Sequence, residues 1–205
     1  MAETHLIVGL GNPGPEYDQT RHNIGFRAVA SLAERWGGTW SAENKFKARM
    51  SRAQVHGTTI HLCQPQTYMN LSGEAVGAVC EYYRIQTDRV LAVVDDAELD
   101  FGAIRLRPDG GTGGHNGLRS LEQHLATPVY ARLRIGVGRP AEARQALSDH
   151  VLGRFHAEEQ AGLERVLERV ARQCECWLQH GVRRAMNEFN GKTEFPGEQN
   201  ETDKT

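Results

Sequence analysis

Six side chains, Asn12, His22, Asn70, Asp95, His115 and Asn116, stand at strand ends or in loops, and their types suit one kind of chemistry. A histidine can take a proton from water near neutral pH, and a carboxylate on its other ring nitrogen orients it for that task. Asparagine amides donate to a developing oxyanion and accept from peptide N–H groups. The set suits hydrolysis of an activated acyl bond, above all an ester. Taken singly, each residue also has an ordinary reading: a turn asparagine, a structural histidine, a helix-capping aspartate. The sequence has no GxSxG elbow, no HExxH pair and no His–Cys cluster with zinc spacing, so a covalent or metal route has little support in it.

These residues need elements to hold them. The run from Leu6 to Leu10 reads as a buried strand that ends in Gly11, Asn12, Pro13 and Gly14, where the backbone must turn. Arg21, His22 and Asn23 then precede the apolar-periodic helix from Ile24 to Trp36, which stops at Gly37 and Gly38. Asn12 and His22 should therefore face each other across the crevice where open α/β sheets bind ligands. Strands are expected over Phe46 to Val55 and Thr58 to Gln64, then a helix capped by Ser72 and running to Arg84. The wholly apolar Val90 to Val94 reads as a central strand that presents Asp95 and Asp96 at its end. Phe101 to Arg107 and Ala131 to Val137 read as further strands, separated by the loop of Gly110, Gly111, Gly113 and Gly114 and a helix from Leu118 to Leu125. Helices are expected over Ala141 to Leu152, over His156 to His180 with a stop at Gly181, and over Val182 to Phe189. The polar, acidic end, 191–205, lacks periodicity and is expected to be disordered.

The chain of 205 residues is of a size for one domain, and its 39% hydrophobic content is ordinary for a globular protein. No apolar run approaches the roughly 20 residues of a bilayer span, and no leader pattern is visible, so a cytoplasmic location is expected. Cys63, Cys80, Cys174 and Cys176 lack paired metal spacing and read as buried free thiols. The net charge is only −2, yet Arg105, Arg107, Arg119, Arg132, Arg134 and Arg139 face only Asp109 and Glu122 between Phe101 and Arg139. Lys45, Lys47, Arg49 and Arg52 form a second basic stretch. Concentrated basic stretches on an acidic chain suit either a solvated surface or a local anionic partner.

The ordered segments VGLGNPGPEYDQTRHNIG, QPQTYMNLSGEAV, VVDDAELDFGAIRLR, GGHNGLRSLEQHL and RLRIGVGRP closely resemble the bacterial peptidyl-tRNA hydrolase family, over roughly Leu6 to Asn190. The resemblance implies an α/β fold, a single domain over 1–190 with a twisted mixed β-sheet flanked by α-helices. It implies cleavage of the ester between a peptide and the 3′ end of tRNA by a monomer, without a metal or cofactor. The family's base falls on His22 and its carboxylate on Asp95, an alignment that needs no gap; Asp96 is the alternative. The family has a histidine before that aspartate in many members, where this chain has Val94. Asn12 matches the position that favours peptidyl over aminoacyl substrates, and Tyr17, Tyr68, Asn70 and Asn116 match positions assigned to tRNA binding. Met69 and His115 line the family's crevice. Arg105, Arg107 and Arg134 are the candidates for holding phosphates, ahead of the stretch from Lys45 to Arg52. A GxGxxG pattern at Gly9, Gly11 and Gly14 raises dinucleotide binding as a rival, but the helix begins too late for the third glycine to pack its first turn.

Overall fold

The computed structural model of the protein describes residues 3–140 and 146–195. The uniformly apolar runs become the centre of the molecule, because a strand covered on both faces needs apolar side chains at every position. Strand β1 (Thr4–Gly9) lies between β4 (Thr58–Pro65) and β5 (Val90–Asp96), parallel to both, and β7 (Ala131–Gly136) continues the parallel set beyond β5. Antiparallel strands close each side: β3 (Ala48–Val55) and β2 (Trp40–Glu43) beyond β4, β6 (Ala103–Arg107) and β8 (Gly191–Lys192) beyond β7. The order is β2-β3-β4-β1-β5-β7-β6-β8, a mixed eight-stranded sheet.

Alternate residues of the central strands feed two cores. Ile7, Leu91 and Val93 pack under α1 (Ile24–Arg35) and α5 (Ala157–Phe189), against Val29, Leu32, Val166 and Val170. Leu6, Val8, Ala92 and Val94 pack on the other face under α2 (Ser72–Tyr83) and α3 (Asn116–Leu125), against Val76, Val79, Leu118 and Leu121. A last short helix, α4 (Leu147–Val151), follows β7. Helix α5 breaks at Gly181, whose φ of 81° leaves the helical region where the sequence placed a stop. All four cysteines are buried and free, and burial pushes the Cys80 thiol up to about 12.

Several expectations need correction. Strand β2 was not anticipated; Trp40–Glu43 is four residues with no alternation to mark it. The strand expected from Phe46 starts at Ala48, because Asn44–Phe46 forms a 3-10 turn and Lys47 is left-handed at φ 49°. Ser72 does not cap α2: the cap position is Leu71, and the Ser72 hydroxyl is buried without a hydrogen-bond partner. Residues 141–145 of the expected helix lie outside the described residues. So do 196–205 of the expected disordered end, but that end does not begin at Gly191. Residues Gly191–Lys192 pair with β6, the Thr193 hydroxyl donates to the Gly102 carbonyl at 2.7 Å, and Phe195 stacks on Phe101 at 5.9 Å. No described helix is long and apolar enough to cross a membrane.

The carboxyl ends of β1, β4 and β5 meet on one edge of this sheet, and β1 is where successive connections diverge to opposite sides. Gly25 seats α1 over that edge. A Cβ there would lie 2.4 Å from the Val93 carbonyl oxygen and 2.5 Å from Leu10, so only glycine lets the first turn of α1 sit directly on the strand ends. That seat fixes the turn just before the helix, which carries His22.

Candidate active site

The edge opens into a crevice of about 820 Å³, within the range usual for ligand sites. Asn12 follows β1, Met69 and Asn70 follow β4, and Asp95 lies at the end of β5. His22 comes from the 3-10 turn Arg21–Asn23, and His115 and Asn116 come from the start of α3. All of these line the crevice, as do Tyr68 and Arg134. Helix α4 and the residue after it supply an apolar wall through Leu147, Val151 and Leu152, which sequence reasoning did not connect to the site. Their only signal was apolar side chains in a segment too short to bury them; Leu147 remains 52% exposed.

Asp95 is the hub. Its Oδ1 lies 2.9 Å from His22 Nδ1 and 3.1 Å from His115 Nε2, and the residue is 5% exposed. Burial alone would raise its carboxyl, but the charge and hydrogen bonds of His115 and His22 outweigh that effect and hold it far below the usual carboxylate range. Asp95 is therefore an anion throughout neutral pH. Burial likewise would depress the His22 imidazole, yet the hydrogen bond and charge of Asp95 win, and its pKa is raised from the ordinary histidine value of about 6.5. With Nδ1–H donated to Asp95, the lone pair of His22 sits on Nε2.

His115 is held in one tautomer by a different device. It is the N-cap of α3, and its Nδ1 accepts from the backbone N–H groups of Gly117 at 3.1 Å and Leu118 at 3.4 Å. Nδ1 therefore carries no proton, and Nε2–H donates to Asp95. This decides how the trio of His22, Asp95 and His115 should be read, since its ligand atoms all lie within 4.8 Å of one another and could in principle hold a metal ion. A metal on His115 Nε2 would need that nitrogen's lone pair, which would send the proton to Nδ1, against two backbone donors. The cap and a metal compete for the same ring, and the geometry favours the cap.

Asp96, one residue on, points elsewhere. Its carboxylate pairs with Arg134 at 3.1 Å and accepts from the Glu98 N–H at 2.8 Å, so of the two acids Asp95 is the one that meets His22. Arg134 also donates to the Gly111 carbonyl at 2.7 Å, and Arg132 donates to Gly110, so the glycine loop is tied to β7. Arg132 is 1% exposed and is also bound to Pro128 and Glu122; it belongs to the interior, not to the basic surface suggested by counting charges. Arg105 and Arg107 are exposed on β6, beside β7 and outside the crevice, with Arg105 directly across from Arg134. Tyr17 also stands outside the crevice, on the turn between Asn12 and Thr20.

The amides have fixed orientations. Asn12 Oδ1 accepts from the Met69 N–H at 2.8 Å, which leaves its NH2 as the group offered to the crevice. Asn116 Oδ1 accepts from Arg119 at 3.1 Å, so Asn116 too offers N–H. Asn23, which sequence reasoning treated only as a neighbour of His22, is 1% exposed and bonds both backbone polar groups of Asn12. The arrangement as a whole is a base with a single available lone pair, an anionic orienting group, and amide donors around a partly enclosed space.

Comparison with known proteins agrees with this chemistry. The sequence pattern of the family described as peptidyl-tRNA hydrolase matches residues 6–197. A protein named peptidyl-tRNA hydrolase from Synechococcus sp. (strain JA-3-3Ab) is 49% identical over 185 residues, 90% of this chain and 82% of the relative. One of the same name from Geobacillus kaustophilus is 47% identical, with 90% of this chain and 98% of the relative covered. Among solved structures, peptidyl-tRNA hydrolase from Acinetobacter baumannii superimposes with a TM-score of 0.87 at 39% identity, over 95% of this chain and 98% of that one.

Proposed function

The chain belongs to the peptidyl-tRNA hydrolase family and hydrolyses the ester that joins a peptide to tRNA, and on that premise we propose that His22, held by Asp95, is the base that activates water. Nε2 of His22 takes a proton from a water in the crevice as the hydroxyl oxygen attacks the ester carbonyl. The tetrahedral oxyanion is met by amide N–H groups, with Asn116, whose oxygen is taken by Arg119, as a donor, while Asn70 in the same crevice holds the substrate main chain and terminal nucleotide. When the intermediate collapses, the bond to the ribose oxygen breaks and His22 returns the proton to that oxygen. The products are a free peptide carboxylate and a tRNA with its terminal hydroxyl restored.

Asn12 gives the site its selectivity. Its only free polar group is an NH2, a donor. A peptidyl or N-blocked substrate brings an acyl carbonyl to that donor, whereas an unblocked aminoacyl end brings an ammonium, another donor with a charge. Because the contact is with main-chain groups, any peptide sequence is accepted.

The tRNA itself extends beyond the crevice. Arg105, Arg107 and Arg134 on β6 and β7 take its phosphates, Tyr68 in the crevice wall contacts the terminal nucleotides, and Tyr17, outside the crevice, takes the RNA beyond them. The reading is of a monomer acting in the cytoplasm, where peptidyl-tRNA is made.

The observation that carries the reading is the 2.9 Å bond between His22 Nδ1 and Asp95 Oδ1 in the crevice. The experiment that tests it is release of N-acetyl-amino acid from N-acetyl-aminoacyl-tRNA by the parent and by His22→Ala. The expected result is cleavage by the parent and near-abolished cleavage by the variant. Comparable rates would remove His22 from the mechanism.

A further inference from the structure

Asn12 can read an acyl group only if something holds it in place. It comes two residues after the buried Leu10 and directly before Pro13, Gly14 and Pro15, where the chain leaves the core as a loop and becomes partly or fully exposed. A substrate-reading amide on such a loop would discriminate poorly, because a donor that wanders can turn its oxygen to an ammonium as readily as its nitrogen to a carbonyl.

Two sets of bonds prevent this. Met69 N–H holds the Asn12 side-chain oxygen at 2.8 Å. Asn23 holds the Asn12 backbone: its Oδ1 accepts from Asn12 N–H at 2.9 Å, and its Nδ2 donates to the Asn12 carbonyl at 2.9 Å. That two-way exchange is the one made by a hydrogen-bonded residue pair in an antiparallel ladder. Here a side-chain amide makes it, and it does so in the interior, with Asn23 1% and Asn12 8% exposed. Asn23 in turn is fixed by its own N–H to Thr20 carbonyl at 3.1 Å, and it is covalently next to His22. The amide thus bridges the two rims at the point where one carries the base and the other carries the donor that reads the acyl group.

We propose that Asn23 is a positioning residue that sets substrate specificity: by clamping the Asn12 backbone beside the base, it keeps the Asn12 NH2 turned into the crevice, so that N-acylated esters are cleaved and unblocked aminoacyl esters are spared. The proposal rests on the reading of Asn12 and His22 given above. It assigns Asn23 no contact with substrate, and no part in proton transfer. Its loss should therefore act on the choice between substrates and not on the titration of the base.

The test measures kcat/KM for N-acetyl-aminoacyl-tRNA and for the unblocked aminoacyl-tRNA of the same tRNA, with the parent, Asn23→Ala and Asn23→Asp. Asn23→Asp is the same size and keeps an acceptor for Asn12 N–H while losing the donor to its carbonyl, so it serves where Asn23→Ala does not fold. In either variant the ratio of the two kcat/KM values should narrow by about tenfold or more, the scale expected when one donor in a desolvated site is no longer aimed. The acid-side inflection of the pH profile should stay where it is in the parent. Asn12→Ala should narrow the ratio to a similar degree, and the double variant should add little, as expected for two residues acting through one contact. An equal fall for both substrates, or a shifted inflection, would mean that Asn23 serves the fold or the base, and would overturn the proposal. A discriminating parent and equally discriminating Asn23 variants would overturn it too. A parent that cleaves both substrates alike would overturn the reading of Asn12 itself.

Discussion

Two asparagines in this chain do the same thing to a backbone, in regions with opposite duties. Asn23 pairs with both polar groups of Asn12 at the crevice, and Asn190 pairs with both polar groups of Leu106 at the outer edge of the sheet, accepting at 2.7 Å and donating at 3.1 Å. Asn190 is itself braced by Gln173 and precedes β8, so its amide extends a short edge strand and leaves fewer backbone groups open to stray pairing. Around Asn23 everything converges on chemistry: a base, a carboxylate and a row of amide donors lie within one crevice. Around Asn190 everything converges on closure: β6, β8 and the two halves of α5. An identical bond pattern is thus a specificity device in one place and an edge seal in the other. What separates the two is what the clamped backbone carries next to it.

That contrast can be broken at either end. The largest effect should come from His22→Ala, which removes the base and should lower kcat by about 10²- to 10⁴-fold while the thermal midpoint stays near that of the parent; single-turnover kinetics and a melt on the same sample check both halves. Asp95→Asn should follow, at about 10²-fold, because His22 and His115 lose the anion to which both donate and keep at most a neutral amide oxygen. At the edge the pattern should reverse. Asn190→Ala leaves the Leu106 N–H and carbonyl without their partner and should cost about 1–3 kcal/mol in denaturant unfolding, with kcat/KM unchanged. A loss of activity there without a loss of stability would erase the distinction drawn between the two regions. The smallest effect belongs to Arg105, which stands on β6 between them. Arg105→Ala should raise KM for full-length substrate modestly and reduce the slope of log KM against log salt by about one, with kcat intact.

Sequence legibility follows the same division. The centre of the sheet was readable because Leu6 to Leu10 and Val90 to Val94 are buried on both faces, which demands unbroken apolar runs, and because such runs must end somewhere that polar side chains can face solvent or ligand. Asn12 and the pair Asp95 and Asp96 were legible for that reason, and His22 from its place just before an apolar-periodic helix; the choice of Asp95 over Asp96 came from the resemblance. The edges were not. Strand β2 and strand β8 are held by partners distant in sequence, Ala48 to Ser51 and Ala103 with Ile104, and their own residues carry no period. Asn23 was missed because its bonds go to a backbone eleven residues away and no residue type announces that. Charge counting misled at Arg132, whose guanidinium is spent inside the protein on carbonyls of the glycine loop and Pro128. Burial and long-range hydrogen bonds decide these cases, and composition does not contain them.

The central claim is that His22 is a neutral base whose affinity for protons is raised by Asp95. The most direct test is the pH dependence of single-turnover cleavage of N-acetyl-aminoacyl-tRNA between pH 5 and 8, at saturating enzyme. The base works only when unprotonated, and the Asp95 contact raises its pKa. The rate should therefore fall as pH drops, with an inflection above the ordinary histidine value of about 6.5, and Asp95→Asn should move that inflection downward. A rate that stays flat across the range, or an inflection that Asp95→Asn leaves in place, would contradict the account.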